Sequence, residues 1–201
     1  MAGGDHRTAH CNLLIVGATI ALAAWLFSLA LAGASPARKA PSGLPYSTAS
    51  AHVEQRQPAR DSCHAIGAGL YSRPDPHCTP GTVNPAVTQA TIGSTICRSG
   101  WTATVRPSES ITEPEKFASI AAYGLRGSAS AYEYDHLVPL ELGGAVNDSR
   151  NLWPEPDYAT RSGFYRNPKD RLEDVLKRKV CHGTLTLARA QRLIAANWTV
   201  A

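Results

Sequence analysis

The sequence predicts an α+β fold, stabilised by disulfide bonds, in one globular domain that follows an N-terminal export segment. Of 201 residues, 43% are hydrophobic and 18% are charged, which is the balance of a globular protein. Residues 132–180 are typical of strand, loop, strand and helix in that order. Four of the five cysteines follow a long apolar run. The formal net charge of +4 permits binding to phosphate polymers without establishing it.

The N-terminal apolar run, from Leu13 to Ala34, contains no charged residue. Such a run is typical of an export signal or a membrane anchor. Small residues offer cleavage sites after Ala32 or Ala34, and the run is also long enough to span a bilayer. We therefore expect residues 1–34 to be a signal peptide or a membrane anchor. The domain is then secreted, or tethered outside the cell membrane through residues 13–34.

Export changes the interpretation of the cysteines, because an oxidising compartment favours disulfide bonds. One or two disulfides are expected from the four cysteines that follow the apolar run. Of the three ways to pair them, we favour Cys63 with Cys78 and Cys97 with Cys181. The second bond would join the start of the domain to its last helices. No CxxC pair is present, so a structural zinc site is not expected.

Composition divides the exported part into a linker and a domain. Residues 35–74 are rich in Ala, Ser, Pro, Arg and Gln with little apolar periodicity, which predicts a disordered linker. The domain is expected at 75–201. Within it, WTATVR at 101–106 is alternating and β-branched, which predicts a strand. Thr112 is a predicted helix cap, and Gly124 marks the expected end of that helix.

The second half of the domain contains the strand, loop, strand and helix segment, followed by a last helix. The expected elements are a strand at 132–138, a glycine turn at 143–144, a short strand at 151–153, and helices at 168–180 and 187–198.

Asp135 and His136 lie near the end of the first of these strands, and Asn151 follows fifteen residues after the histidine. A neutral imidazole can take a proton from water, and a carboxylate can hold a divalent cation. Neighbouring strand residues point to opposite faces, so these two converge only if the strand ends or bends there, which Pro139 favours. Asn151 is expected to hold the loop or the imidazole ring by hydrogen bonds. The alternative for the Asp-His pair is a surface salt bridge or a helix cap.

The order DHLVPL, then GG, then NL and a helix resembles the core of HNH nucleases, the His-Me finger or ββα-metal group. Longer stretches, CTPGTVNPAVTQATIGSTIC, GWTATVRP, YDHLVPLELGG and NLWPEP, are similar to exported actinobacterial proteins labelled HNH endonuclease-like. The resemblance covers residues 74–198. It implies that the domain at 75–201 is a ββα-metal finger with additional flanking helices and a short strand.

The resemblance also implies roles for individual residues. His136 would be the general base that activates water, and Asn151 would position its loop. Asp135 would bind Mg²⁺ or another divalent cation, which would stabilise the developing charge. No small-molecule cofactor is expected.

The sequence departs from the family pattern at the third metal-binding position, which is usually a His or Asn on the helix, because no His lies at the usual distance after Asn151. Candidate ligands are Asn167 and Asp170, with Glu173 one turn beyond Asp170 on the same helical face. We favour Asp170. The alternative is a degenerate finger, which keeps the fold and has lost the catalytic activity.

The expected function is therefore a metal-dependent endonuclease that hydrolyses nucleic-acid phosphodiester bonds, with DNA favoured over RNA as partner. Arg166, Lys169 and Arg171 are expected to contact the phosphate backbone. A solvated helix face, with Lys169 and Glu173 as an ordinary i,i+4 pair, is the alternative. The alternative function is a non-catalytic cell-envelope or interaction protein with a degenerate finger. A toxin would use the same chemistry on another target.

Overall fold

A computed structural model describes residues 38–157 and 167–201, together with Met1. These residues form an α+β arrangement with one antiparallel pair of strands, as the sequence predicted. The helices are α1 (Trp101–Val105), α2 (Glu109–Ala122), α3 (Pro168–Cys181) and α4 (Leu187–Asn197), and the strands are β1 (Tyr132–His136) and β2 (Leu152–Pro156). Short 3-10 turns lie at Gly69–Tyr71, Ile92–Ser94, Ala129–Ala131, Leu140–Leu142 and Trp198–Val200.

Helix α1 corrects the prediction of a strand at 101–106. The helix follows Gly100, whose φ of 76° places the backbone in the left-handed region. Trp101 packs its side chain into the hydrophobic core, and Cys97, just before the helix, is tied to α3 by a disulfide. The β-branched residues have only a weak local preference for a strand, and the packing of Trp101 in the core overrides that preference.

Helix α2 begins three residues before the predicted cap at Thr112. Ser108 is its N-cap, with extended backbone, and Pro114 consequently falls inside the helix. The helix ends at Ala122, and Gly124 follows with φ 61°, as its predicted role at the end of the helix requires.

Strands β1 and β2 pair from Tyr132 opposite Pro156 to His136 opposite Leu152. Strand β1 therefore ends at His136, three residues before Pro139, as expected from the proline. The second strand is longer than predicted. Its prolines are tolerated because a two-stranded ribbon leaves an edge on both sides.

Helices α3 and α4 lie close to their predicted positions. Pro168 occupies the first turn of α3, where a missing N–H removes no helical hydrogen bond. Thr186 caps α4 by accepting a hydrogen bond from the Arg189 N–H at 3.3 Å. Leu176 and Val180 are buried in the core, as their spacing predicted.

Residues 38–74 differ from the predicted disordered linker, because they pack against the rest of the domain. Tyr46 forms a bridge with Val83, and the Ser47 N–H donates to the Val83 carbonyl at 2.8 Å. Cys63 is fully buried. This segment is held in place by backbone hydrogen bonds and a disulfide. Neither contact requires a periodic pattern of apolar residues, so the sequence shows none.

Both favoured disulfides are present. Cys63 pairs with Cys78 across a separation of 15 residues, and Cys97 pairs with Cys181 across 84. The second bond joins the segment before α1 to the end of α3. In the part of the chain at 38–157 and 167–201, no helix is long and apolar enough to cross a membrane. The expected export segment lies outside the described residues.

Candidate functional site

His136 is the last residue of β1 and is 8% exposed. Its Nε2 lies 3.0 Å from the Val146 carbonyl oxygen, which can only accept, so Nε2 carries the hydrogen and donates it. Burial lowers the pKa of His136 below its usual value of 6.5, so the ring is neutral near pH 7. Among the described residues Nδ1 has no hydrogen-bond partner. The ring therefore presents an unprotonated Nδ1 that can accept a proton.

The Asn151 side chain is fully buried and holds the loop that follows His136. Its Oδ1 accepts from the Val138 N–H at 3.0 Å, and its Nδ2 donates to the carbonyls of Val138 at 2.9 Å and Ala145 at 3.2 Å. Its own carbonyl accepts from the Leu137 N–H at 2.7 Å. Of the two alternatives left by the sequence, the amide therefore holds the loop backbone.

The Gly-Gly pair allows this loop to close. Gly143 has φ 71°, a left-handed conformation that glycine adopts without strain. A Cβ on Gly144 would overlap the carbonyl oxygen of Val138 and come within 2.9 Å of the Asn151 Nδ2. A side chain at this position would therefore displace the backbone that Asn151 binds.

Lys169 of α3 is fully buried, with 0% of its side chain exposed. Its ammonium donates to Asp135 Oδ2 and to Glu173 Oε1, both at 2.5 Å, and to the His136 carbonyl oxygen at 2.7 Å. Burial disfavours the charged form, but the charges of Asp135 and Glu173 raise the pKa of Lys169 well above 10.5. The ammonium therefore stays charged at neutral pH and joins α3 to the end of β1.

The burial of Lys169 corrects the prediction that it binds a phosphate backbone. The predicted i,i+4 pair with Glu173 is present, but it is buried rather than solvated. Lys169 lies on the face of α3 that also carries the buried Leu176 and Val180, at spacings of seven and eleven residues. The spacing alone favours a buried position for Lys169. The residue type argues against it, because a lysine is almost never fully buried unless it is paired.

Two glutamates that were not predicted as site residues, Glu133 and Glu155, lie beside the ion pair of Lys169 and Asp135. Glu155 of β2 is 2% exposed and stands opposite Glu133 of β1 in the strand register. Burial and the charge of Asp135 raise the pKa of Glu155 to about 11, so it is a neutral acid hydrogen-bonded to Asp135. Its Oε1 has no hydrogen-bond partner among the described residues. Glu133 precedes Asp135 by two residues, a spacing that places both on one face of a strand and could have identified it.

The carboxyl groups of Glu133, Asp135, Glu155 and Glu173 share the ammonium of Lys169, so they do not all stay ionised at neutral pH. Burial alone would raise the pKa of Asp135, but the charge of Lys169 and hydrogen bonds from Glu155 and Lys169 lower it. Burial raises the pKa of Glu173 to about 8 against the opposing charge of Lys169. Burial and the charge of Asp135 raise the pKa of Glu133 to about 7. Asp135 is therefore the carboxylate that keeps its charge most firmly.

The described residues do not fit the divalent metal that the family resemblance implies. Asp135 binds the Lys169 ammonium through Oδ2. Asp170, the favoured third ligand, accepts the Asn167 N–H at 2.9 Å and so caps the start of α3. Within residues 38–157 and 167–201, no group of three or more His, Cys, Asp or Glu side chains is arranged to hold a metal ion.

One positive charge near the imidazole, besides that of Lys169, belongs to a residue that the sequence did not predict as part of the site. Arg106, exposed just after α1, lowers the pKa of His136 through its charge, although by less than burial does. Arg106 was not predicted at the site, because residues 101–106 were expected to form a strand. Arg171 is exposed on α3, as a phosphate contact requires, and Arg166 lies outside the described residues.

Comparison of the chain with known proteins found no matching family model, no matching curated protein and no matching solved structure.

Proposed function

We propose that this chain is a hydrolase that cleaves nucleic-acid phosphodiester bonds with His136 as its general base. One observation carries the proposal, namely a neutral imidazole held through Nε2 by the Val146 carbonyl with Nδ1 left to accept a proton. In this proposal β1, β2 and α3 form the ββα finger that the motif resembles. Asn151 would be a positioning residue, since its contacts are with the loop backbone.

The proposed reaction is hydrolysis by an activated water. Nδ1 of His136 takes a proton from water, and the resulting hydroxide bonds to phosphorus while the bond from phosphorus to the leaving oxygen breaks. The leaving oxygen then takes a proton from solvent, and the protonated Nδ1 of His136 returns its proton to solvent. The positive charge of Arg106 would stabilise the phosphorane-like transition state.

The surface of α3 supports a phosphate polymer as substrate. Three basic residues on the helix are exposed, Arg171, Arg178 and Lys179. Contacts of this kind bind the backbone without reading bases, so we propose little sequence selectivity. DNA is the proposed partner, and the assay below also includes RNA. The two disulfides support a secreted or membrane-tethered location with the domain outside the cell.

A second candidate function is a non-catalytic cell-envelope or interaction protein that uses the same fold as a scaffold. The buried ion pair between Lys169 and Asp135 favours it, because a carboxylate already neutralised by an ammonium suits a structural network.

The test compares cleavage by the full oxidised chain with that of His136→Ala, on supercoiled plasmid and on single-stranded RNA, with Mg²⁺ or with EDTA. His52→Ala is the matched control, because His52 is exposed. We expect His136→Ala to lose cleavage and His52→Ala to keep it. Absence of cleavage by the folded wild-type chain on both polymers, with and without Mg²⁺, would favour the scaffold.

A further inference from the structure

The surroundings of Lys169 are those of a bound cation. Its ammonium is held by two carboxylate oxygens, from Asp135 and Glu173, and by the main-chain oxygen of His136. Carboxylate and carbonyl oxygens are also the ligands that hard divalent cations take in proteins. They come from the end of β1 and from α3, the elements on which the sequence predicted metal ligands. The ammonium thus lies where a metal bound by Asp135 would lie.

The hydrogen-bonding capacity of this ammonium is fully used. An ammonium has three hydrogens, and Lys169 donates to three oxygens. No hydrogen is left for a water or a substrate phosphate. Lys169 is therefore placed to position its neighbours rather than to touch reacting atoms.

Asp135 is similarly occupied. One carboxylate oxygen binds Lys169, and Glu155, which is nearly fully buried, is hydrogen-bonded to the same carboxylate group. A divalent cation would have to displace a buried ammonium, or be added close to one, and like charges at such short range repel strongly.

We propose that Lys169 is the resident cation of this site and takes the place of a divalent metal. It holds the carboxylate of Asp135 and the main chain of His136 in position, and the protein binds no divalent ion there. The catalytic consequence, hydrolysis that continues in EDTA, rests on the proposed function, whereas the absence of metal binding does not.

The first experiment titrates Mn²⁺ and Mg²⁺ into the full oxidised chain by isothermal calorimetry. We expect no binding with a Kd below about 1 mM. Binding tighter than this that disappears in Asp135→Asn would overturn the inference. This measurement needs only the wild-type fold and Asp135→Asn, so it decides the question even where variants of Lys169 fail to fold.

The second experiment removes the ammonium and leaves the carboxylates. Lys169→Gln should gain Mn²⁺ binding at Asp135 and Glu173, and its Tm should rise with Mn²⁺ concentration while the wild-type Tm stays constant. A lysine with a merely structural role would lose stability without creating a metal site. Lys179→Gln is the matched control, since Lys179 is exposed on the same helix and should change neither property. A folded Lys169→Gln that binds no Mn²⁺ would contradict the inference.

Cleavage assays separate this inference from the proposed function. Cleavage in EDTA by a chain that binds no metal supports both. No cleavage from a folded chain that binds no metal ends the nuclease proposal and leaves Lys169 as the resident cation. Cleavage that requires Mg²⁺ bound at Asp135 supports a nuclease and overturns the role given to Lys169.

Discussion

The carbonyl oxygen of His136 accepts a hydrogen bond of 2.7 Å from the Nζ of Lys169. The proposed base is thus anchored twice, through its main chain by Lys169 and through its ring by Val146. Its position depends on an ion pair formed with a helix that begins thirty-two residues later in the chain.

The activity of the proposed hydrolase should persist to lower pH than an ordinary histidine permits. Burial lowers the pKa of His136 below 6.5, and the base works only when it is neutral. We therefore expect the acidic limb of kcat/KM to have its midpoint below pH 6.5, measured on a plasmid substrate. A midpoint above 6.5 would contradict this assignment.

Lys169→Met should destabilise the fold strongly, because it leaves the buried carboxylate of Asp135 without its cation. Breaking a buried ion pair by removing one partner lowers the free energy of unfolding by about 3–5 kcal/mol. Urea denaturation monitored by tryptophan fluorescence measures the change. Lys179→Met, on the exposed side of α3, should change it little, and equal effects of the two substitutions would show that Lys169 has no special role.

Glu155→Gln should stabilise the protein at neutral pH. The pKa of Glu155 is raised from 4.5 to about 11 in the folded state, so its contribution to stability is full below pH 4.5 and is lost as pH rises toward 11. Glutamine does not ionise in either state. The variant should therefore match the wild type near pH 4 and exceed its free energy of unfolding by up to about 3 kcal/mol at pH 7.

Urea denaturation between pH 4 and pH 8 checks the prediction for Glu155. Glu113→Gln is the control, because Glu113 is exposed on α2 and should show no such pH-dependent difference. A stability difference between Glu155→Gln and the wild type that does not grow with pH would refute the assignment of a neutral Glu155.

Gly144→Ala should prevent the loop after β1 from closing. Its Cβ would overlap the Val138 carbonyl, to which Asn151 donates a hydrogen bond. We expect a loss of about 3 kcal/mol or more in the free energy of unfolding. At Gly93 a Cβ would meet no atom within 4 Å, so the Tm of Gly93→Ala should stay near that of the wild type. A Gly144→Ala variant as stable as Gly93→Ala would disprove this packing.

The two disulfides should contribute unequally. In the chain-entropy model a bond that closes 84 residues stabilises by about 4.6 kcal/mol, and one that closes 15 residues by about 3 kcal/mol. Replacing Cys97 and Cys181 together with serine should therefore lower the Tm more than replacing Cys63 and Cys78. The opposite order would show that native-state contacts outweigh loop length.

Features that depend on neighbouring residues were predictable from the sequence. The end of β1 before Pro139, the glycine turn, the Thr186 cap and the span of α3 all lie where the sequence predicted them, to within two residues. Each depends on backbone sterics or on hydrogen bonds between residues close in the chain. The disulfide pairing was also favoured correctly, from the positions of the cysteines along the domain.

The character of the site depends on contacts between distant parts of the chain. The order of the residues shows that an acid, an imidazole and an amide follow one another around a strand end, with a lysine and acids on the next helix. It could not show that Lys169 is buried against Asp135, which lies thirty-four residues away, or that Glu155 is neutral beside them. Burial and charge depend on all the groups that surround a side chain, and those groups come from distant parts of the chain.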